Sequence, residues 1–325
     1  MTSLSTIETV SSVRRSDPTI SERYNTYSRY LKKRFGRRVH KITVDAGFNC
    51  PNRDGTLSDS GCIYCNNDVF SPASRFRNTD TGISAQIETT IPQLKNRYKA
   101  ERFLVYFQPY TNTYAPVETL ERIYREALAH EDVIGIAVGT RPDCVDKEKL
   151  FLLETLARNA YVAVEYGCES VHDKSLRWMN RGHLAKVFFD AMKLTRNRGI
   201  DIGVHLILGL PTENHADMMQ TARRISEMPV QIVKLHHLHV VHDTPLEKLF
   251  NENPFPLSDL ESYVRLVCDF IERLRPDIVV ERLCGESHPD VTVAPTWHVK
   301  GPTMARLVTA ELSARNTFQG IYYEP

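Results

Sequence analysis

The stretch GFNCPNRDGTLSDSGCIYCNN, Gly47 to Asn67, holds three of the chain's seven cysteines, and its chemistry decides what fold must surround it. Cys62 and Cys65 are separated by two residues, so two thiolates can bite one metal centre from a tight turn, and Gly61 supplies permissive backbone before it. Cys50 adds a third thiolate on the same loop. A closed structural zinc site needs one more Cys or His, and the next residues of that kind, His40 and His130, lie in a strand run and at a helix end. Three cysteines without a fourth protein ligand fit a [4Fe-4S] cluster with one iron left open to a substrate or cofactor. Spacing alone leaves zinc with a distant fourth ligand, a redox pair and chance cysteines open beside it.

Outward from that loop, Cys144, Cys168, Cys268 and Cys284 are scattered and form no second motif. An odd number of cysteines in 325 residues argues against a disulfide framework and for thiols kept reduced. No run of eighteen apolar residues exists, and the N-terminus lacks the basic-then-apolar order of a secretory signal. The expectation is a cytoplasmic protein without a membrane partner, whose residues 1–20 are poorly ordered. A net charge of +1 announces no global attraction to nucleic acid. Locally, the segment from Arg23 to Lys41 contains Arg29, Lys32, Lys33, Arg34, Arg37 and Arg38 interleaved with Tyr24, Tyr27, Tyr30 and Phe35, and no acid. Such a segment either tracks a phosphate backbone or is an amphipathic helix with its tyrosines packed on the body and its charges solvated.

Six apolar or β-branched runs follow in order: HKITVDAG from His40, RFLVYFQ from Arg102, GIAVGT from Gly135, YVAVEYG from Tyr161, DIGVHLILG from Asp201 and QIVKLHHLHV from Gln231. Stretches of helical spacing lie between them, including VETLERIYREALAH from Val117 and LAKVFFDAMKLTRN from Leu184. This alternation predicts a parallel sheet with crossover helices, an α/β fold. Six units suit an open, partial (β/α)6 barrel, with a doubly wound sheet as the other arrangement. The barrel core is expected over about 40–256, inside a single domain over 21–325, and an extension from about 257 closes its open side. The cysteine loop, QPYTNT, TRPD, GCES, GLPTE and VVHDTP each follow one strand, so one rim gathers them.

Taken together, the cysteine loop, VYFQPYTNTYAPVE, VEYGCESVHDKSLRWMNRGH, VHLILGLPTE, VKLHHLHVVHDTPL, APTW and the terminal QG resemble the radical S-adenosylmethionine (SAM) superfamily. Within it they resemble a small YhcC-like family, related to oxygen-independent coproporphyrinogen oxidase and the elongator catalytic subunit. The resemblance spans the chain from about Tyr24. It implies a TIM-like partial barrel in which Cys50, Cys62 and Cys65 ligate three irons of a [4Fe-4S] cluster and SAM chelates the fourth. One electron from a donor such as a flavodoxin or ferredoxin then cleaves SAM to methionine and a 5'-deoxyadenosyl radical, which abstracts hydrogen from a substrate carbon.

Position by position, the resemblance places Tyr64 near adenine. Gln108, Thr111 and Asn112 fall where relatives carry a glycine-rich motif for the methionyl amine. Glu165 and Ser170 fall at the ribose and methionyl carboxylate, and Gly209, Leu210 and Pro211 at the turn beside adenine. The chain departs from the pattern at Glu169, where relatives carry glutamine, and at Cys168, which reads as a small buried hydrophobe. His205, His237 and His239 fall where strand alternation can face them to a substrate. The kinship with the elongator subunit implies wobble-uridine chemistry on transfer RNA. A small-molecule substrate is the alternative within the same chemistry, and a zinc-stabilised RNA-binding protein is the alternative outside it.

Overall fold

The computed structural model describes residues 23–77, 79 and 81–325, without the side chains of Asp68 and Phe70. Residues 1–20, expected to be poorly ordered, lie outside the described residues. Among the described residues nine strands form: β1 (Val39–Val44), β2 (Arg102–Phe107), β3 (Val133–Thr140), β4 (Tyr161–Glu169), β5 (Asp201–Leu208), β6 (Ile232–His237), β7 (Val240–Val241), β8 (Val279–Arg282) and β9 (Thr292–Ala294). The helices are α1 (Tyr27–Phe35), α2 (Asn67–Phe70), α3 (Ile83–Tyr98), α4 (Val117–Leu128), α5 (Lys147–Ala157), α6 (Asp173–Trp178), α7 (Ala185–Thr195), α8 (His215–Ser226), α9 (Pro245–Glu252), α10 (Leu260–Ile271) and α11 (Gly301–Ala314).

Seven strands pair in the order β1-β2-β3-β4-β5-β6-β8, every pair parallel. The sheet curls into a half-barrel. Alternation along each strand explains why both faces are buried. Ile42, Val44, Phe103, Val105, Ile136, Val138, Val162, Val164, Ile202 and Val204 pack against the helices outside, while Val39, Leu104, Tyr106, Ala137, Tyr161 and Ala163 pack inside. The sheet does not stop at the sixth strand. Val279–Arg282, within the stretch read as an extension beyond 256, adds the seventh, and β7 pairs antiparallel with β9 above it.

The basic N-terminal segment forms α1, which ends at Gly36 in a left-handed cap. Leu31, Tyr27, Tyr30 and Phe35 pack into the inner cluster. Tyr30 donates its hydroxyl hydrogen bond to Asp201, the first residue of β5. Arg34 pairs with the same carboxylate at 3.1 Å and lies 4.7 Å over the ring of Tyr161, the first residue of β4. The helix therefore closes the amino end of the strands, opposite the cysteine loop. Lys41 is not one of the solvated charges of this segment: its Nζ reaches inside the barrel to Glu165 and Glu281.

Candidate active site

The cysteine loop leaves β1 and is held in place by its own backbone and by the turn after α6. Arg53 and Asp54 donate N–H to the carbonyl of Cys50, and Cys65 N–H to the carbonyl of Cys62. Asn52 Nδ2 donates to the carbonyl of Asn180 at 2.7 Å, Asn180 Nδ2 to the carbonyl of Gly61 at 2.7 Å, and Ile63 N–H to the carbonyl of Met179. The motif MNRG, the turn after α6, thus staples the loop at the same rim.

All three cysteines line one cavity at the carboxyl ends of the strands. Four donors point at their sulfurs: Asn52 Nδ2 and Arg181 Nη1 lie 3.5 Å from Cys62 Sγ, and Asn67 Nδ2 and Arg53 Nη1 lie 3.7 and 3.8 Å from Cys65 Sγ. Two guanidiniums and two amides aimed at sulfur favour thiolates and tune a cluster they hold. Burial and the neighbouring Cys62 push the Cys65 thiol up to about 12, so a cationic centre is what draws the proton off. Among the described residues no three His, Cys, Asp or Glu side chains converge on a single ion. Unpartnered buried polar atoms of Thr111, Arg141, Arg181, His236 and His237 belong to residues lining the same cavity, as a polar cofactor requires.

Arg181 reaches Cys62 because Gly167 lets it pass. A Cβ at Gly167 would lie 2.4 Å from Arg181 Nη2, which donates to the Gly167 carbonyl at 2.6 Å. Glu169, with its φ of 64°, turns its carboxylate to within 3.6 Å of the same guanidinium.

Of the residues expected to meet SAM, Tyr64, Gln108, Thr111 and Glu165 line the cavity. Asn112, Ser170, Gly209, Leu210 and Pro211 do not, and their contacts explain why. Asn112 Nδ2 is spent on the carbonyls of Phe107, Pro109 and Gly139, fixing the loop after β2. The Ser170 hydroxyl donates to Glu213 and accepts from His172 N–H. Leu210 is buried in a separate apolar cluster with Leu176, Ile207 and Leu246, and Pro211 is exposed. Cys168 is fully buried and donates to the Ser170 carbonyl. His205, His237 and His239 face the cavity as the alternation allows, and so does His236.

At the base of the cavity Glu165 and His205 belong to a charged layer with Lys41, Lys234 and Glu281 that the sequence reading does not anticipate. Glu165 Oε1 accepts from Lys41 at 2.5 Å, and its Oε2 accepts from Lys234 and from His205, the latter at 2.9 Å. Glu281 completes the layer, 2.6 Å from Lys41 and 3.1 Å from Lys234. Gly203 makes room for it, since a Cβ there would come within 3.0 Å of Glu165 Cγ. Burial drives the Lys234 ammonium down to about 8, against the pull of Glu165 and Glu281. The two lysines hold Glu165 well below the usual carboxylate range despite its burial.

Three cysteines lining one cavity at the carboxyl mouth of a parallel half-barrel are the arrangement of an iron–sulfur enzyme, in which these residues would hold the cluster. Residues 49–225 match the Radical SAM superfamily model and residues 230–314 the Radical_SAM C-terminal domain. Protein YhcC of Escherichia coli (strain K12) is 36% identical over 275 residues, covering 84% of this chain and 87% of that protein. The chain therefore belongs to the radical SAM superfamily, in the YhcC-like family, and its cofactors are a [4Fe-4S] cluster and SAM. The archaeal Methanocaldococcus infernus Elp3 with N-terminus deletion shares the fold, with a TM-score of 0.67 at 15% identity over 86% of this chain and 64% of that one. A stretch of 131 residues is 23% identical to tRNA uridine(34) acetyltransferase of Methanocaldococcus jannaschii, covering 39% of this chain and 24% of that protein. Among the described residues no helix is long and apolar enough to cross a membrane.

Proposed function

We propose that this radical SAM enzyme abstracts hydrogen from a carbon of a transfer RNA uridine at the wobble position. The reading is supported by the cavity itself, which Cys50, Cys62 and Cys65 line together with Tyr64, Gln108, Thr111 and Arg181, a set suited to a cluster, SAM and a substrate side by side. Reductive cleavage of bound SAM supplies the 5'-deoxyadenosyl radical, with the electron coming from a flavodoxin- or ferredoxin-like donor. Cys50, Cys62 and Cys65 would hold three irons through thiolates that Arg53 and Arg181 stabilise by donated hydrogen bonds, and the polar lining would meet SAM. The barrel walls keep bulk water from the reacting carbon. The RNA reading is supported by the segmental similarity to tRNA uridine(34) acetyltransferase.

Anaerobic reconstitution with SAM, a low-potential reductant and total transfer RNA, followed by nucleoside mass spectrometry, tests it. A uridine of changed mass, with 5'-deoxyadenosine formed in step, is the expected result. Formation of 5'-deoxyadenosine that RNA neither stimulates nor consumes would move the substrate to a small molecule.

A further inference from the structure

We infer that the barrel floor around Arg282 and His236 is a subsite for one oxyanion of the substrate, a carboxylate or a phosphate; the inference rests on the radical SAM reading of this cavity. The argument starts from charge. Three cations, Lys41, Lys234 and Arg282, face two carboxylates, Glu165 and Glu281, inside the barrel. The lysines take both carboxylates: Lys41 lies 2.5 Å from Glu165 and 2.6 Å from Glu281, and Lys234 pairs with both as well. Arg282, the last residue of β8, lines the cavity with its side chain in no hydrogen bond or ion pair among the described residues. The other carboxylates of the cavity are engaged elsewhere, Glu169 with Arg181 and Glu286 with the N–H of Gly301 at 2.7 Å.

A half-buried guanidinium with no carboxylate partner is open to an anion, and its planar fork suits a carboxylate or phosphate. A second group points the same way. His236 lines the same cavity, and its Nε2 is buried without a partner. Its neighbour His205, with ring centroids 5.6 Å apart, has already spent its own Nε2 on Glu165. Burial and the nearby Arg282 hold His236 well below the ordinary histidine range, so it is a neutral ring with one N–H to give. A guanidinium without a carboxylate partner and one unspent donor together match a single oxyanion. The cysteines and Arg181, which would hold the cluster and meet SAM, line the same cavity but make no contact with Arg282 or His236, so these two groups are left to the substrate.

Calorimetric titration of the reconstituted, SAM-bound enzyme with acetate and with inorganic phosphate, at constant ionic strength, tests this. The wild type is expected to bind at least one of them, and Arg282→Gln to weaken that affinity about ten-fold or more, the loss expected when a charge-assisted hydrogen bond is removed. His236→Phe keeps the ring and removes the donor, and is expected to weaken the same anion by about three-fold or more; it serves alone if Arg282→Gln does not fold. Preference for acetate places the anion on a base substituent or small acid, and preference for phosphate places it on the nucleotide backbone. Equal affinities in wild type and both variants would overturn the inference, as would an Arg282→Gln enzyme that loses SAM binding but keeps the anion. Iron content and the SAM-induced change in the cluster's EPR signal, read on the wild type, report separately on the radical SAM reading.

Discussion

Replacing Glu165 by Gln separates two roles for this residue, a contact to SAM and a counterion inside the barrel. Its side chain is 0% exposed, and both oxygens are occupied by Lys41, Lys234 and His205. An amide keeps the shape but leaves two buried ammoniums to share Glu281. Removing one partner of a buried ion pair costs about 3–5 kcal/mol, and Glu281, still 2.6 Å from Lys41 and 3.1 Å from Lys234, argues for the lower end, about 3 kcal/mol. With a urea m-value of about 3 kcal/mol/M for a chain this long, the denaturation midpoint falls by about 1 M at pH 7. The pH dependence carries a second signature. Lys234 sits at about 8 in the wild type, below its unfolded value, so its protonated form costs stability that returns as pH rises from the folded to the unfolded pKa. Without the carboxylate that pulls it up most, Lys234 sheds its proton at lower pH in the variant. The stability gap is therefore expected to narrow between pH 7 and pH 9. At the acid end the wild type loses the Glu165 contribution as pH falls through that group's depressed folded pKa, and the gap closes there too. Equilibrium urea titrations of both proteins across this range provide the test. An unchanged midpoint together with a clear loss of SAM affinity would refute the counterion account and return Glu165 to the cofactor.

The triple substitution of Cys50, Cys62 and Cys65 by Ala is expected to lower reconstituted iron from about four per chain to background, whereas Cys144→Ala or Cys268→Ala, both at buried positions outside the loop, keeps it; iron and sulfide analysis decides. Arg181→Gln removes a cationic donor 3.5 Å from Cys62 Sγ and is expected to shift the cluster's reduction potential negative by on the order of 60 mV, one decade in a one-electron equilibrium. Gly167→Ala, whose Cβ collides with that guanidinium, is expected to shift it the same way, and redox titration followed by EPR measures both. Reversing Lys32 and Lys33 to Glu changes exposed charges on α1, at the opposite end of the barrel from the cavity, and is expected to leave transfer RNA affinity and its salt slope unchanged. A flattened slope in filter-binding assays would show that the RNA reaches the far end.

The parallel half-barrel and the cysteine loop were legible because both rest on local pattern. β-branched runs at regular spacing define the strands, and three cysteines in sixteen residues define the loop. What escaped was set by alternation across distant strands. Lys41 reads as the end of a basic surface run until β1 is seen to turn it inward. β8 reads as a strand of the closing extension, but with only Val279 and Val280 before Glu281 and Arg282 it looks too short and too charged to join the barrel sheet, whose edge it forms. The charged residues at single positions in otherwise apolar strands, Lys41, Glu165 and Lys234, were the available signal. Each charge inside a buried strand needs a partner, and here they supply one another. The GLPTE turn is a case in which local pattern and cavity lining differ. It follows a strand as cavity loops do, but Leu210 anchors it in a neighbouring apolar cluster, and no residue from Gly209 to Glu213 lines the cavity.

The central claim is that the thiol triad and the cavity above the barrel floor cleave SAM reductively. Anaerobically reconstituted protein, given SAM and dithionite and analysed by liquid chromatography with mass spectrometry, measures this directly. The account predicts 5'-deoxyadenosine and methionine in equal amounts, dependent on the reductant and absent from the triple cysteine variant. Protein that holds about four irons per chain yet forms no 5'-deoxyadenosine under these conditions, or a cleavage that survives loss of Cys50, Cys62 and Cys65, would contradict it.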